Sequence, residues 1–246
     1  MHITNYLFIF VINVHLSVKL YKQRQNLGQN SAINKGFYES NSELIAFLDS
    51  DDIWRENFVE EMKKPFQLSH IGFAYCRLVN GPKWELEGED IFRAVLKQGF
   101  LSSLGTLVAR RGALESIVPL PERFFVNDMC QDDHISFEMS RRYACKLVPM
   151  ELYQIIGTEN SITRDRYYLA LGWFQLFTFY KEDILSINDK NAIQMYYTKC
   201  LTLSLKAKSS NLFRQIFSDA QKTVGLIRAI LYVNISILKI KQRAFV

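Results

Sequence analysis

Residues 44–54 read LIAFLDSDDIW, an apolar run that ends in three aspartates within four positions. A short apolar run bounded by polar residues predicts a buried strand of an α/β sheet. Asp49, Asp51 and Asp52 then follow the carboxyl end of this strand, where open α/β sheets bind their ligands. Carboxylates placed so closely repel one another, so the cluster favours a divalent cation that carries phosphate oxygens. The alternative is a solvated acidic turn in which Asp51 or Asp52 caps the next helix.

The segment upstream of this strand carries a second pattern. Residues 26–36 read NLGQNSAINKG, so that N-x-G is followed by A-x-N-x-G, and about ten residues then lead to the strand and its acids. This combination, with an aromatic residue at Trp54, resembles the family 2 glycosyltransferases of the GT-A fold. The resemblance implies an α/β, Rossmann-like nucleotide-diphospho-sugar transferase domain in residues 1–165, followed by an α-helical C-terminal region in residues 166–246.

The resemblance also implies roles for individual residues. Donor and cofactor binding would involve the two upstream motifs and the acidic segment, at Asn26, Gly28, Asn34, Asp49 and Asp51. Many members carry a donor-contacting arginine at the position of Ile33, and Lys35 would take its place here. The alternative for Lys35 is a solvated helix face. The expected cofactor is Mn²⁺ or Mg²⁺ at Asp51 and Asp49, because such a cation takes one or two carboxylates and leaves its other positions to phosphate oxygens and water. The expected activity is inverting transfer of a sugar from a nucleotide-sugar donor to a hydroxyl of a saccharide or lipid-linked acceptor, in cell-surface polysaccharide or glycolipid synthesis.

A second acidic pair, Asp132 and Asp133, lies in the stretch CQDDH at residues 130–134. The family carries an acidic pair at this point, usually Glu-Asp, and its second member is the catalytic base. The resemblance therefore makes Asp133 the base, with Asp132 in place of the usual Glu. Chemically, the base must lie within about 3 Å of the acceptor hydroxyl that it deprotonates. The alternative for the pair is an N-cap with favourable charge at the start of a helix.

Two further alternatives concern the function. Family members usually hold the nucleotide base and ribose with segments that precede the N-x-G turn, and the 25 residues before Asn26 match none of them. We therefore expect a domain shortened at its N-terminus, and an inactive glycosyltransferase remnant is one alternative. The other is a phosphatase of the haloacid dehalogenase type, with Asp49 as nucleophile and Asp132 and Asp133 as metal ligands.

Composition and charge limit the partners. The net charge of +5 is mild for a chain of this length, so a nucleic-acid partner is not expected. The four cysteines lack the C-x-x-C spacing of zinc sites, and we expect reduced thiols in a cytoplasmic protein. The apolar run at residues 7–16 has only about ten residues, which is short of the roughly 20 that a membrane span needs. It is more typical of a buried strand.

Periodicity and turn signals predict the remaining elements. We expect strands at 18–23, 71–76, 104–109 and 146–157, and helices at 32–38, 55–67, 90–97, 167–185, 189–207 and 211–241. The helix at 55–67 places Phe58, Met62 and Phe66 on one buried face. The last helix is apolar and ends in basic residues. It either packs on its neighbours or rests peripherally on the cytoplasmic face of an anionic membrane.

Overall fold

The computed structural model describes residues 19–21, 25, 27–83, 85–120, 129–156 and 164–242. The predicted strand at 7–16 and most of the one at 18–23 lie outside the described residues, as does Asn26. The described residues form two compact units. One comprises the residues up to 120 together with 131–156, and the other comprises residues 129–130 together with 164–242. The limits 1–165 and 166–246 stay our proposed domain boundaries.

The first unit alternates short helices with five strands. The α-helices are α1 (Gln29–Glu39), α2 (Phe58–Lys63), α3 (Phe92–Gln98), α4 (Arg111–Glu115) and α5 (Gln131–Arg142). The strands are β1 (Leu44–Ala46), β2 (Asp52–Trp54), β3 (Ile71–Leu78), β4 (Leu107–Arg110) and β5 (Ala144–Ile155). Single 3₁₀ turns occupy Lys64–Gln67 and Leu104–Thr106. The elements predicted between residues 32 and 157 are thus confirmed in type, with boundaries that differ by a few residues.

The five strands form one mixed sheet in the order β1-β4-β3-β5-β2. Only β3 and β5 run parallel, while the other three pairs are antiparallel. The carboxyl ends of β1, β3 and β5 therefore meet the amino end of β4 at one edge. We call this edge the acidic edge, because the aspartates that follow β1 lie there.

The predicted stripe on the helix after the acids is confirmed. Phe58, Met62 and Phe66 are all buried and pack against β3 and β5 in one core cluster. Trp54 stacks on Phe58 with ring centroids 4.2 Å apart, and its indole N–H donates a 2.8 Å hydrogen bond to the carbonyl of Gly105. Aromatic packing thus fixes the chain immediately after the acidic segment.

The second unit is helical, as predicted, but it contains more helices than expected. These are α6 (Arg166–Phe179), α7 (Lys181–Ser186), α8 (Lys190–Lys206), α9 (Ser210–Val224) and α10 (Leu226–Gln242). The prediction of one helix over 211–241 was wrong, because Gly225 adopts φ 85°, which interrupts a helix and which side chains other than glycine rarely adopt. The helix predicted at 167–185 is likewise interrupted at Tyr180. In the described part of the chain, no helix is long and apolar enough to cross a membrane.

Candidate active site

The acidic segment lies at the acidic edge, where the sequence predicts it. Asp49 follows β1 by three residues, and Asp52 is the first residue of β2. The helix-capping alternative for Asp51 and Asp52 is wrong, because a strand follows these residues and the N-cap of α2 is Asn57.

Both carboxylate oxygens of Asp52 accept hydrogen bonds from the chain at the C-terminal end of β5. One accepts a hydrogen bond from the hydroxyl of Tyr153, and the other accepts one from the backbone N–H of Ile156 at 3.0 Å. Tyr153 is fully buried, and its pKa lies above the usual range. Burial is the largest cause of this shift, and the hydrogen bond to Asp52 is the second largest. Asp52 is therefore a structural anchor of the acidic segment.

The second acidic pair reaches the same edge through the first turn of α5. The Oδ2 atom of Asp132 accepts a hydrogen bond from the backbone N–H of Leu104 at 3.0 Å, and a second from the Ser103 hydroxyl at 3.3 Å. Burial raises the pKa of the Asp132 carboxyl above its ordinary value. The 3₁₀ turn before β4 thus holds Asp132 at the amino end of that strand.

Asp49 lies where the two acidic motifs meet. The residue is half-buried, and the side-chain amide of Gln29 donates a long hydrogen bond of 3.5 Å to its Oδ1 atom. The pKa of Asp49 is raised to about 7, from an ordinary value near 3.9. Burial is the main cause, and three neighbouring carboxylates add to it: Asp132, Asp52 and Asp51. The fold therefore concentrates negative charge at one point, which a cation would relieve.

The other member of the acidic pair, Asp133, faces a different environment. It is 5% exposed and belongs to the run of buried residues on α5 that includes His134. Burial lowers the pKa of His134 to about 4, so its imidazole is neutral near pH 7 and supplies no positive charge there. Sequence reasoning did not identify Asp132 as the member of the pair whose charge raises the pKa of Asp49, since two adjacent aspartates give no signal of which one lies at the sheet edge.

The upstream motifs lie on α1 and its entrance. Gly28 precedes α1 with φ 90°, a conformation that favours glycine. The side-chain amide of Asn34 exchanges two 2.8 Å hydrogen bonds with the backbone of Leu120. Lys35 forms an ion pair with Glu39 at 2.5 Å on the exposed face of the helix. These contacts give Asn34 and Lys35 structural roles, and their predicted donor-binding roles stay predictions.

A basic pair on β4 and α4 lies at the opposite end of the strands from the acids. Arg110 donates to the carbonyl of Ile71 at 2.9 Å, and Arg111 donates to that of Ser40 at 2.6 Å. Both border a cavity of about 540 Å³ at that end. These guanidinium groups tie chain segments together and are not placed to meet a phosphate at the acidic edge.

Asp51 and Asp49 are the predicted ligands of a divalent cation. Among the residues that the structure describes, no group of three or more His, Cys, Asp or Glu side chains is arranged to hold a metal ion. Asp49 and Asp51 nevertheless offer carboxylate oxygens, which are the ligands that Mg²⁺ and Mn²⁺ prefer. Two carboxylates suffice when phosphate oxygens complete the coordination. Asp51 is exposed, and burial and the neighbouring carboxylates disfavour the charged form of Asp49, a cost that a bound cation would offset. The residues therefore fit a cation that arrives with a diphosphate.

Residues 12–105 match the family described as Glycosyl transferase family 2. An uncharacterised glycosyltransferase of Nostoc sp. strain PCC 7120 is 30% identical over 113 residues, which cover 39% of this chain and 34% of that relative. The chain thus spans about a third of the length of the curated relative that it matches.

Among solved structures, a mannosyltransferase from Pyrobaculum calidifontis, determined with GDP-Man and Mn²⁺, superposes with a TM-score of 0.51 at 16% identity. The superposition covers 91% of this chain and 69% of the mannosyltransferase. Residues 1–349 of TarS from S. aureus give a TM-score of 0.49 at 14% identity, over 92% of this chain and 75% of that one. The predicted GT-A fold with a helical C-terminal region is confirmed by the likeness to the mannosyltransferase.

Proposed function

We propose that this chain, which carries a family 2 glycosyltransferase segment on a GT-A fold, transfers a sugar from a nucleoside diphosphate donor to an acceptor hydroxyl with inversion at the anomeric carbon. One observation carries the proposal. Asp49, from the D-x-D-D segment, and Asp132, from the second acidic pair, both lie at the acidic edge although they are distant in sequence, because Asp49 follows β1 and Asp132 accepts a hydrogen bond from Leu104 just before the neighbouring β4. Ligands of α/β sheets bind at such edges. Transfer in cell-surface polysaccharide or glycolipid synthesis, to a saccharide or lipid-linked acceptor, is part of the proposal.

The acidic segment and the first residues of α1 would bind the donor. Asp49 and Asp51 would hold Mn²⁺ or Mg²⁺, and the cation supplies positive charge against the departing nucleoside diphosphate. Gln29 donates a hydrogen bond to Asp49 from the first turn of α1, which follows the positive-φ residue Gly28. The Mn²⁺ and GDP-Man in the mannosyltransferase structure support a donor of this class.

The base is a member of the second acidic pair. The family resemblance supports Asp133, whose carboxylate would accept the proton of the acceptor hydroxyl as that oxygen attacks the anomeric carbon. A second candidate is Asp132, because the hydrogen bond from Leu104 holds its carboxylate at the acidic edge and burial raises its pKa, which suits proton acceptance. Whichever residue is the base, reaction by a single displacement inverts the anomeric carbon.

Donor turnover tests the proposal and separates the two candidates. The purified chain is incubated with Mn²⁺ and UDP-glucose, UDP-N-acetylglucosamine or GDP-mannose, and release of the nucleoside diphosphate is followed with and without saccharide acceptors. Asp133→Asn and Asp132→Asn are compared with Asp90→Asn, a matched change at an exposed residue whose φ of 55° suits asparagine.

Loss of the base is expected to lower turnover by about 10² to 10⁴-fold while the donor affinity stays within threefold. Turnover that neither substitution changes would overturn the assignment of the base to this pair. A covalent phosphate on Asp49, or phosphate release without any sugar nucleotide, would instead favour the phosphatase alternative.

A further inference from the structure

The outer face of α10 is apolar and exposed. Six large apolar side chains on this helix are 39% to 85% exposed: Leu226, Ile227, Ile230, Leu231, Ile237 and Leu238. The opposite face is buried, at Ala229, Tyr232 and Ser236. A helix that buries one face in its own fold and exposes a second apolar face has a surface left for another partner. We call these six residues the outer face.

The buried face fixes which side of α10 points outward. The hydroxyl of Ser236 donates to the carbonyl of Thr198 on α8 at 3.2 Å, and Tyr232 stacks near Tyr197 with ring centroids 6.1 Å apart. The helix is therefore held against α8 along this face. It cannot turn its outer face inward without breaking these contacts.

The sequence of the second unit, which carries the outer face, is strongly positive. Residues 164–246 contain 13 lysines and arginines and 5 aspartates and glutamates, a net charge of +8 against +5 for the whole chain. From residue 201 onward the only acidic residue in the sequence is Asp219, and it forms an ion pair with Lys181 at 2.8 Å. Arg228 and Lys239 lie on α10 itself. The partner of this surface should therefore be negatively charged.

We propose that the outer face of α10 is a docking site for an anionic membrane surface, on which the helix lies in the plane of the headgroups. Amphipathic helices with basic flanks bind such surfaces by burying their apolar face and attracting anionic lipids. In the described part of the chain no helix, α10 included, is both long and apolar enough to cross a membrane. A second copy of this chain fits less well, because a symmetric pairing of the outer faces would oppose like charges. This inference is independent of the proposed glycosyl transfer.

Vesicle co-sedimentation of the full chain, without donor or metal, tests this inference. Vesicles of phosphatidylcholine with about a quarter phosphatidylglycerol are compared with vesicles of phosphatidylcholine alone, in 50 mM and 500 mM NaCl. The test variant is Ile227→Ser/Leu231→Ser/Leu238→Ser. The control is Leu68→Ser, an exposed apolar residue in the first unit. Circular dichroism verifies that each variant is folded.

We expect binding to the anionic vesicles that is at least tenfold stronger than to the neutral ones and that falls in 500 mM NaCl. The triple variant should lose at least tenfold in binding, whereas Leu68→Ser should retain it. Absent binding, binding that the triple substitution leaves unchanged, or equal binding to neutral vesicles would overturn the inference. A concentration-dependent dimer of the wild type that the triple variant abolishes, without vesicle binding, would instead assign the outer face to a second copy.

Discussion

The hydroxyl of Tyr153 donates a hydrogen bond to Asp52, and this contact joins β5 to the acidic segment. Tyr153 is fully buried, and in the pairing of β5 with β2 it lies directly opposite Trp54. The position of the acidic segment therefore depends on a buried side chain about a hundred residues further along the chain. The geometry of the acidic edge is thereby coupled to the stability of the sheet.

Tyr153→Phe is expected to lower the free energy of unfolding by about 1–3 kcal/mol, because it removes the donor to a half-buried carboxylate. Chemical denaturation followed by circular dichroism measures this change. Tyr167→Phe, at a half-exposed tyrosine, is the matched control and should change stability by less than about 0.5 kcal/mol. Equal effects of the two substitutions would contradict the anchoring role of Tyr153.

The raised pKa of Asp49 predicts a pH dependence of stability. The folded protein holds a proton on Asp49 up to about pH 7, while the unfolded chain releases it near pH 4. The folded state binds more protons in this window, so the free energy of unfolding contributed by Asp49 falls as the pH rises from 4 to 7. Asp49→Asn removes this contribution.

In buffer with a chelator, the stability of Asp49→Asn relative to wild type should therefore increase steadily between pH 4.5 and 7.5. Denaturant titrations at several pH values measure the difference. A difference that does not change with pH would mean that the fold does not perturb Asp49.

Asn34 is expected to matter for stability. Asn34→Ala removes both hydrogen bonds to Leu120 and leaves backbone groups there without partners, which costs about 1–3 kcal/mol. Thermal unfolding gives the change in stability, and the donor affinity of the folded variant shows whether Asn34 also contacts the ligand. Unaltered stability would contradict the structural role.

Lys35 tests donor binding with little interference from folding. Its ion pair with Glu39 is exposed, so Lys35→Ala should alter stability by at most about 1 kcal/mol. If Lys35 meets the donor diphosphate as the family resemblance implies, the affinity for the nucleoside diphosphate should fall about tenfold, whereas Lys63→Ala on α2 should leave it unchanged. Equal affinities for wild type and Lys35→Ala would restrict Lys35 to its surface ion pair.

Local patterns predicted the helices and strands well, because burial imposes a period on the sequence. The stripe of Phe58, Met62 and Phe66 is an example, since each of its members meets the same core. Local patterns did not predict which strands pair with each other. β1 and β2 are separated by only five residues, and yet they are the two outermost strands of the sheet, on opposite sides of it. The reason is that the 12-residue β5 pairs with β3 along most of its length and with β2 at its end.

The site was predictable in its motifs and less so in its individual residues. The acids after β1 lie at the expected edge, since the end of an apolar run locates a strand end. Within the second pair, Asp132 is the member that a hydrogen bond from Leu104 holds at the acidic edge. A contact of that kind joins distant segments and leaves no local pattern.

The most direct test is calorimetric titration of the chain with UDP and with GDP, in the presence and absence of Mn²⁺, for wild type and Asp51→Ala. Asp51 is exposed, so its substitution should leave the fold intact. We predict micromolar binding of one of the nucleotides that requires Mn²⁺ and that Asp51→Ala abolishes. Absence of binding by any nucleoside diphosphate to the folded protein would contradict the assignment of the acidic edge as a donor site and favour the inactive remnant.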